Sequence, residues 1–395
     1  MRIAYVTETY PPELNGVALT VRRTVEYLRA RGHEVLLIRP RQPGESHRDR
    51  DDEWRTLGCP IPRYPQLRFG LASAGTLRRR FERWQPDLLH VATQGPLGYA
   101  AQKAARRLGM PVTMDFRTNF HQYSRFYGIG AFMPLIAGYL RSFHDGARVT
   151  FVPTDELRRE LEGEGFQRLQ VVGRGVDTAR FDPALRDEAL RQSWGVAPGA
   201  PVLLYVGRLA AEKNVPLLMQ AAIAARQAAP DAKLIVVGDG PLRKELEASH
   251  PEAVFLGART GEELARAYAS ADVFVFPSLS ETFGNVVVEA MASGLVVVSY
   301  RTAAAGELIA SEVSGVVVTP GDEEAYTLAV CSVASRFGQA QEAPALEAMR
   351  TKAREVALAT DWESVLSRFE AQLVLVADED KNVDDAGTAP RVSPV

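Results

Sequence analysis

The first forty residues, Met1–Pro40, run MRIAYVTETYPPELNGVALTVRRTVEYLRARGHEVLLIRP. Ile3–Val6 is a short unbroken apolar run, the pattern of a strand buried on both faces. After a loop, Ala18–Arg31 has helical spacing, with Val21, Val25 and Leu28 on one face. Gly32 and His33 close the helix, and Val35–Ile38 is the next apolar run. Strand, loop, helix and strand in this order predict a βαβ unit.

The same rhythm continues outward from this unit. Leu88–Val91, Val112–Met114 and Thr150–Pro153 are strand-like, with helical stretches between them. The pattern restarts at Pro201: strand Val202–Val206, helix Pro216–Ala229 and strand Lys233–Val237, then strands Val254–Leu256, Val273–Pro277 and Val296–Ser299. Two such series in 395 residues match the prior of roughly 100–200 residues per domain. The expected fold is α/β, with two Rossmann-like domains facing a cleft, each a parallel sheet covered by helices. Gly173-Arg174-Gly175-Val176-Asp177 reads as the linker. The expected boundaries are 1–175 and 176–361, followed by a closing helix, 362–376, that packs back on the first domain. The polar tail 377–395 reads as disordered and His47–Glu53 as a charged loop.

Composition narrows the classes of function. The chain is 46% hydrophobic and 24% charged, as in soluble globular proteins. A net charge of −3 provides no basic field for nucleic acid. Cys59 and Cys331 are the only cysteines and lack metal-ligand spacing, which fits a reducing, cytoplasmic setting. The N-terminal apolar run is too short for a signal peptide. The longest other run, Ala131–Leu140, is half the ~18 residues of a membrane span and contains Pro134.

Three features of the second domain converge on a diphosphate. Gly207-Arg208-Leu209-Ala210-Ala211-Glu212-Lys213-Asn214 follows a buried strand, at the end where open α/β sheets bind ligands. Arg208 supplies a planar fork for phosphate oxygens and Lys213 a point charge. Pro277-Ser278-Leu279-Ser280-Glu281-Thr282-Phe283-Gly284-Asn285 leads into the helical run Val286–Ser293. Its amides from Phe283 through Asn285 to Val286 would meet an anion at a helix N-terminus, with Gly284 allowing close approach. Glu281 and Glu289 are the third feature: one carboxylate faces the sugar and the other can grip vicinal ribose hydroxyls. Glu289 lies in the apolar setting Val-Val-Val-Glu-Ala-Met-Ala, where a lone carboxylate needs partners.

The run SETFGNVVVEAMASG resembles the E-x7-E motif of the retaining GT-B glycosyltransferases of family 4. GRLAAEKN is similar to that family's diphosphate loop, VGDGPLRKEL to its next strand-turn-helix, and TETYPPELNGVALTVRRTVEYLRARGHEV to its first βα unit. The resemblance extends to Val376 and points to GDP-mannose-dependent α-mannosyltransferases of lipid and glycan assembly. It implies that Arg208 and Lys213 hold the departing diphosphate, Glu289 the ribose and Glu281 the transferred sugar, while Gly16 brings a backbone amide to the phosphates. It also implies retained anomeric configuration, a nucleotide-sugar donor, and a lipid-linked or glycan acceptor. The family usually has Phe-His-Thr after the fourth strand. Here Phe116-Arg117-Thr118 stands in that place and His121 follows. Arg117 and His121 are both candidates for the chemistry, and Arg117→Ala is expected to lower kcat more than His121→Ala.

The arginines Arg22, Arg23, Arg29, Arg31, Arg78, Arg79, Arg80 and Arg83, with the aromatic stretch Tyr123–Tyr139, suit an anionic membrane surface as well as solvated helix faces. Asp49-Arg50-Asp51 and Asp378-Glu379-Asp380 match the D-x-D pattern of metal-dependent transferases. Both fall in stretches read as mobile, and no metal or other cofactor is expected because the cations and the helix dipole already serve the diphosphate. A sugar-nucleotide 2-epimerase of the same architecture is the alternative enzyme. A nucleotide-sugar-binding protein that has lost catalysis is the non-enzymatic reading. A Rossmann dehydrogenase is disfavoured because G-x-G-x-x-G is missing from the first βα turn and from Gly238-Asp239-Gly240.

Overall fold

The computed structural model describes residues 1–13, 16–46, 50–61, 64–117 and 133–387, the side chains of 61, 64–67, 133, 134, 136 and 380–387 excepted. The chain divides into two compact units. One is built from the described residues up to Gly173 together with those from Val365, and the other is Arg174–Ser364.

The first unit has an eight-stranded sheet. Its strands are β1 (Arg2–Val6), β2 (Glu34–Pro40), β3 (Glu53–Ile61), β4 (Tyr64–Leu71), β5 (Leu88–Val91), β6 (Val112–Asp115), β7 (Val149–Val152) and β8 (Leu169–Val171), in the order β4-β3-β2-β1-β5-β6-β7-β8. All neighbours are parallel except the antiparallel pair β3 and β4. Alternation along β1 shows why the sheet is covered on both faces. Ile3 and Tyr5 join one apolar cluster with Val35 and Leu37, while Ala4 and Val6 join another with Leu36 and Ile38. Phe369, Leu373 and Val376 of the helix Trp362–Gly387 complete the first of these clusters.

The second unit has six parallel strands: β9 (Val202–Val206), β10 (Lys233–Val237), β11 (Val254–Gly257), β12 (Val273–Phe276), β13 (Val296–Tyr300) and β14 (Val316–Val318). Their order is β11-β10-β9-β12-β13-β14. The order reverses between β9 and β12, so the loops leaving these strands flank a topological switch point.

The first and last residues of the second unit run side by side. Val176 bridges Asp361, and the Val176 amide donates to the Thr360 carbonyl at 3.1 Å. A Cβ on Gly175 would lie 2.5 Å from the Trp362 Cα, so the close approach requires glycine.

Two expectations are corrected. The C-terminal helix does not stop at 376. It runs to Gly387, with Val376 and Ala377 buried, so residues 377–387 are helical rather than disordered. Glu53 does not belong to a charged loop. It opens β3 with its carboxylate buried between Arg39 and Arg55. Paired charges let a polar-looking segment enter a core, which composition alone does not reveal. Residues 47–49, including Asp49 of one D-x-D triplet, lie outside the described residues, and Asp378 and Asp380 of the other lie within the C-terminal helix.

Candidate functional site

In the second unit the loops after β9 and β10 lie back to back. The Leu209 amide donates to the Asp239 carbonyl at 2.9 Å and the Gly207 amide to the Val237 carbonyl at 3.0 Å. A Cβ on Gly238, whose φ is +144°, would stand 1.9 Å from the Gly207 carbonyl oxygen, and one on Gly240 would stand 2.3 Å from that of Leu209. Glycine at both places lets the second loop support the first. Beneath them the Tyr205 hydroxyl donates to the Arg208 carbonyl at 3.0 Å.

That platform carries two cations. Arg208 keeps 42% of its side chain exposed and reaches the Glu212 carboxylate at 3.4 Å. Lys213, in the 3-10 turn Ala211–Lys213, is turned inward with 15% of its side chain exposed. Its ammonium forms an ion pair with Oε1 of Glu281 and donates to the Ser280 carbonyl at 3.3 Å. Ser278 donates its hydroxyl to the same Glu281 oxygen at 2.9 Å. Arg208 and Lys213 thus stand on one loop, and Lys213 and Glu281 are brought together from β9 and β12, the two strands at the switch point.

Beyond Glu281 the chain enters the helix Asn285–Ala292, one residue earlier at each end than the expected run. Gly284 is its N-cap, in the left-handed region at φ 86° and ψ 60°. Among the described residues the Asn285 side-chain oxygen is buried without a hydrogen-bond partner. The first-turn amides after Phe283 and Gly284 have no helical carbonyl before them and present partial positive charge. One turn along, the half-buried Glu289 accepts a hydrogen bond from the Tyr268 hydroxyl at 3.0 Å. Burial pushes its carboxyl up to about 7, against the pull of Tyr268 and Arg180. A carboxylate held by one phenol at the mouth of a helix is built to take further donors, such as vicinal hydroxyls.

Gly16 and Arg117 belong to the first unit. Gly16 is the first residue of the helix Gly16–Ala30, and its carbonyl accepts from Thr20 at 2.7 Å. Arg117 follows β6 with 11% of its side chain exposed and forms an ion pair with Asp115. Asp115 also meets the buried His90 at 3.1 Å, and His90 in turn meets Thr113 at 3.0 Å. Burial would raise the Asp115 carboxyl, but Arg117 and His90 outweigh it and hold it at about 2. Arg117 is therefore fixed by a buried polar chain rather than carried on a solvated loop. His121 lies outside the described residues.

The sequence reading missed Tyr205, Tyr268 and Ser278, which hydrogen-bond to Arg208, Glu289 and Glu281. It also missed Glu8, two residues after β1. This buried carboxylate accepts from the Gly70 amide and, at 2.8 Å, from the Leu97 amide of the helix Pro96–Arg107. Burial raises its carboxyl to about 7. A polar residue just after an apolar strand was the available signal for Glu8. Tyr268 gave none, because its helix reads as an ordinary amphipathic one.

Residues 14–180 match the family described as Glycosyltransferase Family 4, and residues 200–336 match Glycosyl transferases group 1. A GDP-mannose-dependent alpha-mannosyltransferase of Mycobacterium tuberculosis is 38% identical over 328 residues, 82% of this chain and 85% of that protein. The chain belongs to glycosyltransferase family 4. A GDP-mannose-dependent alpha-(1-6)-phosphatidylinositol dimannoside mannosyltransferase of the same organism is 30% identical over 346 residues, 85% of this chain and 88% of the other. The sucrose-phosphate synthase of Thermosynechococcus elongatus superposes with a TM-score of 0.75 at 19% identity, over 94% of this chain and 98% of that one. The fold of this glycosyltransferase is thus GT-B, as its sequence led one to expect.

Proposed function

We propose that this glycosyltransferase moves an α-mannosyl group from GDP-mannose to a lipid-linked or glycan acceptor, with retention of configuration. The observation that carries the reading is the cluster of Arg208, Lys213 and Glu281 at the mouth of the helix Asn285–Ala292, with Glu289 one turn along. In this reading Arg208 and Lys213 neutralise the departing diphosphate and the amides of Phe283, Gly284 and Asn285 donate to its oxygens. Each charge-assisted contact contributes ~1.5–3 kcal/mol, and more as charge develops on the leaving group. Glu289 holds the ribose and Glu281 receives a sugar hydroxyl. Gly16, Arg117 and His121 serve the same reaction in this reading. Two cations and a helix N-terminus supply the leaving-group stabilisation that a divalent ion gives elsewhere, so turnover is expected to survive chelation by EDTA.

Mannose from the guanosine donor is favoured by the names of the relatives just described, and a lipid-linked acceptor by that of the phosphatidylinositol dimannoside enzyme. Attachment to an anionic membrane at the cytoplasmic face is part of the same proposal. Among the described residues no helix is long and apolar enough to cross a membrane. Arg78, Arg79 and Arg83 are exposed on the helix Ala74–Trp84, as are Leu57, Leu71, Leu135 and Tyr139 elsewhere in that unit. Arg29 and Arg31 instead bind Asp52 and Glu370. Co-sedimentation is expected with anionic but not neutral vesicles.

Incubating the protein with GDP-mannose or UDP-glucose and a lipid extract, and following nucleotide release and labelled lipid, tests the assignment. Transfer is expected from GDP-mannose alone, and Arg208→Ala is expected to lower kcat/KM by at least 100-fold, roughly the ~2.7–4 kcal/mol of one lost transition-state donor. Equal rates in wild type and Arg208→Ala would refute the diphosphate site. Epimer formation without acceptor would point to the epimerase.

A further inference from the structure

We propose that Glu281 discriminates against the sugar-free nucleoside diphosphate by competing with it for Lys213. The inference rests on the donor site proposed above and goes beyond it, because it concerns how the site treats the product rather than the donor.

The observation is that Lys213 already has an anionic partner. Its ammonium is paired with Glu281 and also donates to the Ser280 carbonyl, and both side chains are only 15% exposed. Charges so placed interact more strongly than charges in water and are weakly screened by salt. A diphosphate that reaches Lys213 must therefore share it with a carboxylate or displace that carboxylate. Ser278 holds the same carboxylate oxygen from the other side, so Glu281 is not swept away by rotation about one contact.

The consequence differs between donor and product. In a nucleotide sugar the β-phosphate is esterified and carries one charge. The attached hexose brings hydroxyls, each able to donate a hydrogen bond to a carboxylate. The hydrogen bonds given to Glu281 by Lys213 and Ser278 converge on Oε1, which leaves Oε2 to receive such a hydroxyl. The donor thus returns to Glu281 what it takes in sharing Lys213. Free GDP has no hexose, so it must share Lys213 with Glu281 and returns nothing to the carboxylate, an unfavourable element of the kind that sets specificity. Glu281 favours the loaded donor and weakens product retention.

Calorimetric titration of GDP into the wild type, Glu281→Gln, Lys213→Met and the double variant tests this. Glutamine keeps the shape and removes the charge. Glu281→Gln is expected to bind GDP roughly three- to tenfold more tightly than the wild type, the range of a modest charge-pair coupling. The gain is expected to vanish on the Lys213→Met background. GDP should also become a stronger product inhibitor relative to the KM for GDP-mannose. Unchanged or weaker GDP binding by Glu281→Gln overturns the proposal, as does a gain that persists undiminished without Lys213. Glu281→Ser, which also removes the charge, is expected to shift affinity in the same direction, and thermal melts confirm that each variant is folded. Lys213→Met binding GDP as tightly as the wild type would instead overturn the donor site itself, a result read from a different variant.

Discussion

Tyr268 and Glu289 show how much of the site lies behind the residues that face the ligand. The Glu289 carboxyl is raised to about 7 chiefly by burial, and the Tyr268 hydroxyl pulls it back down. The folded value lies above the ordinary 4.5. The group's contribution to stability is therefore largest below about 4.5 and is lost as pH rises through 7. In the proposed donor site the preference is opposite, because ribose hydroxyls donate best to the ionised form. The KM for the nucleotide sugar is therefore expected to fall as pH rises from 6 to 8. Tyr268→Phe should move that inflection to higher pH and raise KM roughly three- to tenfold, the ~0.5–1.5 kcal/mol of one hydrogen bond, with kcat at saturation little changed. A pH profile of KM for both proteins checks it. An unmoved inflection in Tyr268→Phe would show that the phenol does not reach the carboxylate's ionisation.

Among the elements, the loop Ser278–Gly284 and the helix it starts carry the proposed donor site, and Gly284 is the N-cap between them. Its φ of +86° lies in the region where a Cβ costs about 1–2 kcal/mol. A Cβ there would meet Glu281 at an ordinary 3.7 Å, so the cost is conformational and not a clash. Gly321 has nearly the same φ, +85°, with nothing within 4 Å of an added Cβ. Gly284→Ala and Gly321→Ala are expected to lower the melting temperature by similar amounts, while only Gly284→Ala lowers kcat/KM, by tenfold or more. Differential scanning calorimetry and initial rates on the pair separate backbone strain from its effect on the site. This loop was also the most legible part of the chain. Glu281, Gly284 and Glu289 are local, and a strand, a glycine and a helix start fix their geometry within twelve residues. Tyr268 was not legible, because its partner lies 21 positions along the chain and nothing in its own helix marks it. The β3 and β4 pair was missed for a related reason: the Arg39, Glu45, Glu53 and Arg55 charges that neutralise one another there look solvated when read in order.

At the scale of the molecule, residues far apart in sequence close the same unit. Every strand of the first sheet precedes Gly173, yet one face of that sheet is completed by Phe369, Leu373 and Val376, nearly two hundred residues later. Glu370, on the same helix, accepts from Tyr27 and Arg31 and meets His33, so the polar contacts fix the register that the apolar ones leave adjustable. Spacing of i, i+4 and i+7 at Phe369, Leu373 and Val376 made a helix legible there. Its continuation to Gly387 was not, because acidic residues after Ala377 suppress the apolar signal without breaking the helix. Leu373 is wholly buried, and truncating it leaves a cavity in that core. Leu373→Ala is expected to destabilise the protein by ~2–5 kcal/mol. Arg208, Lys213, Glu281 and Glu289 all lie in the other unit, so the Kd for GDP should change by less than about twofold in protein that remains folded. Denaturant unfolding and GDP titration of the same sample decide the matter. A large loss of GDP affinity at temperatures where Leu373→Ala is still folded would mean that the closing helix shapes the nucleotide site and not only the core it covers.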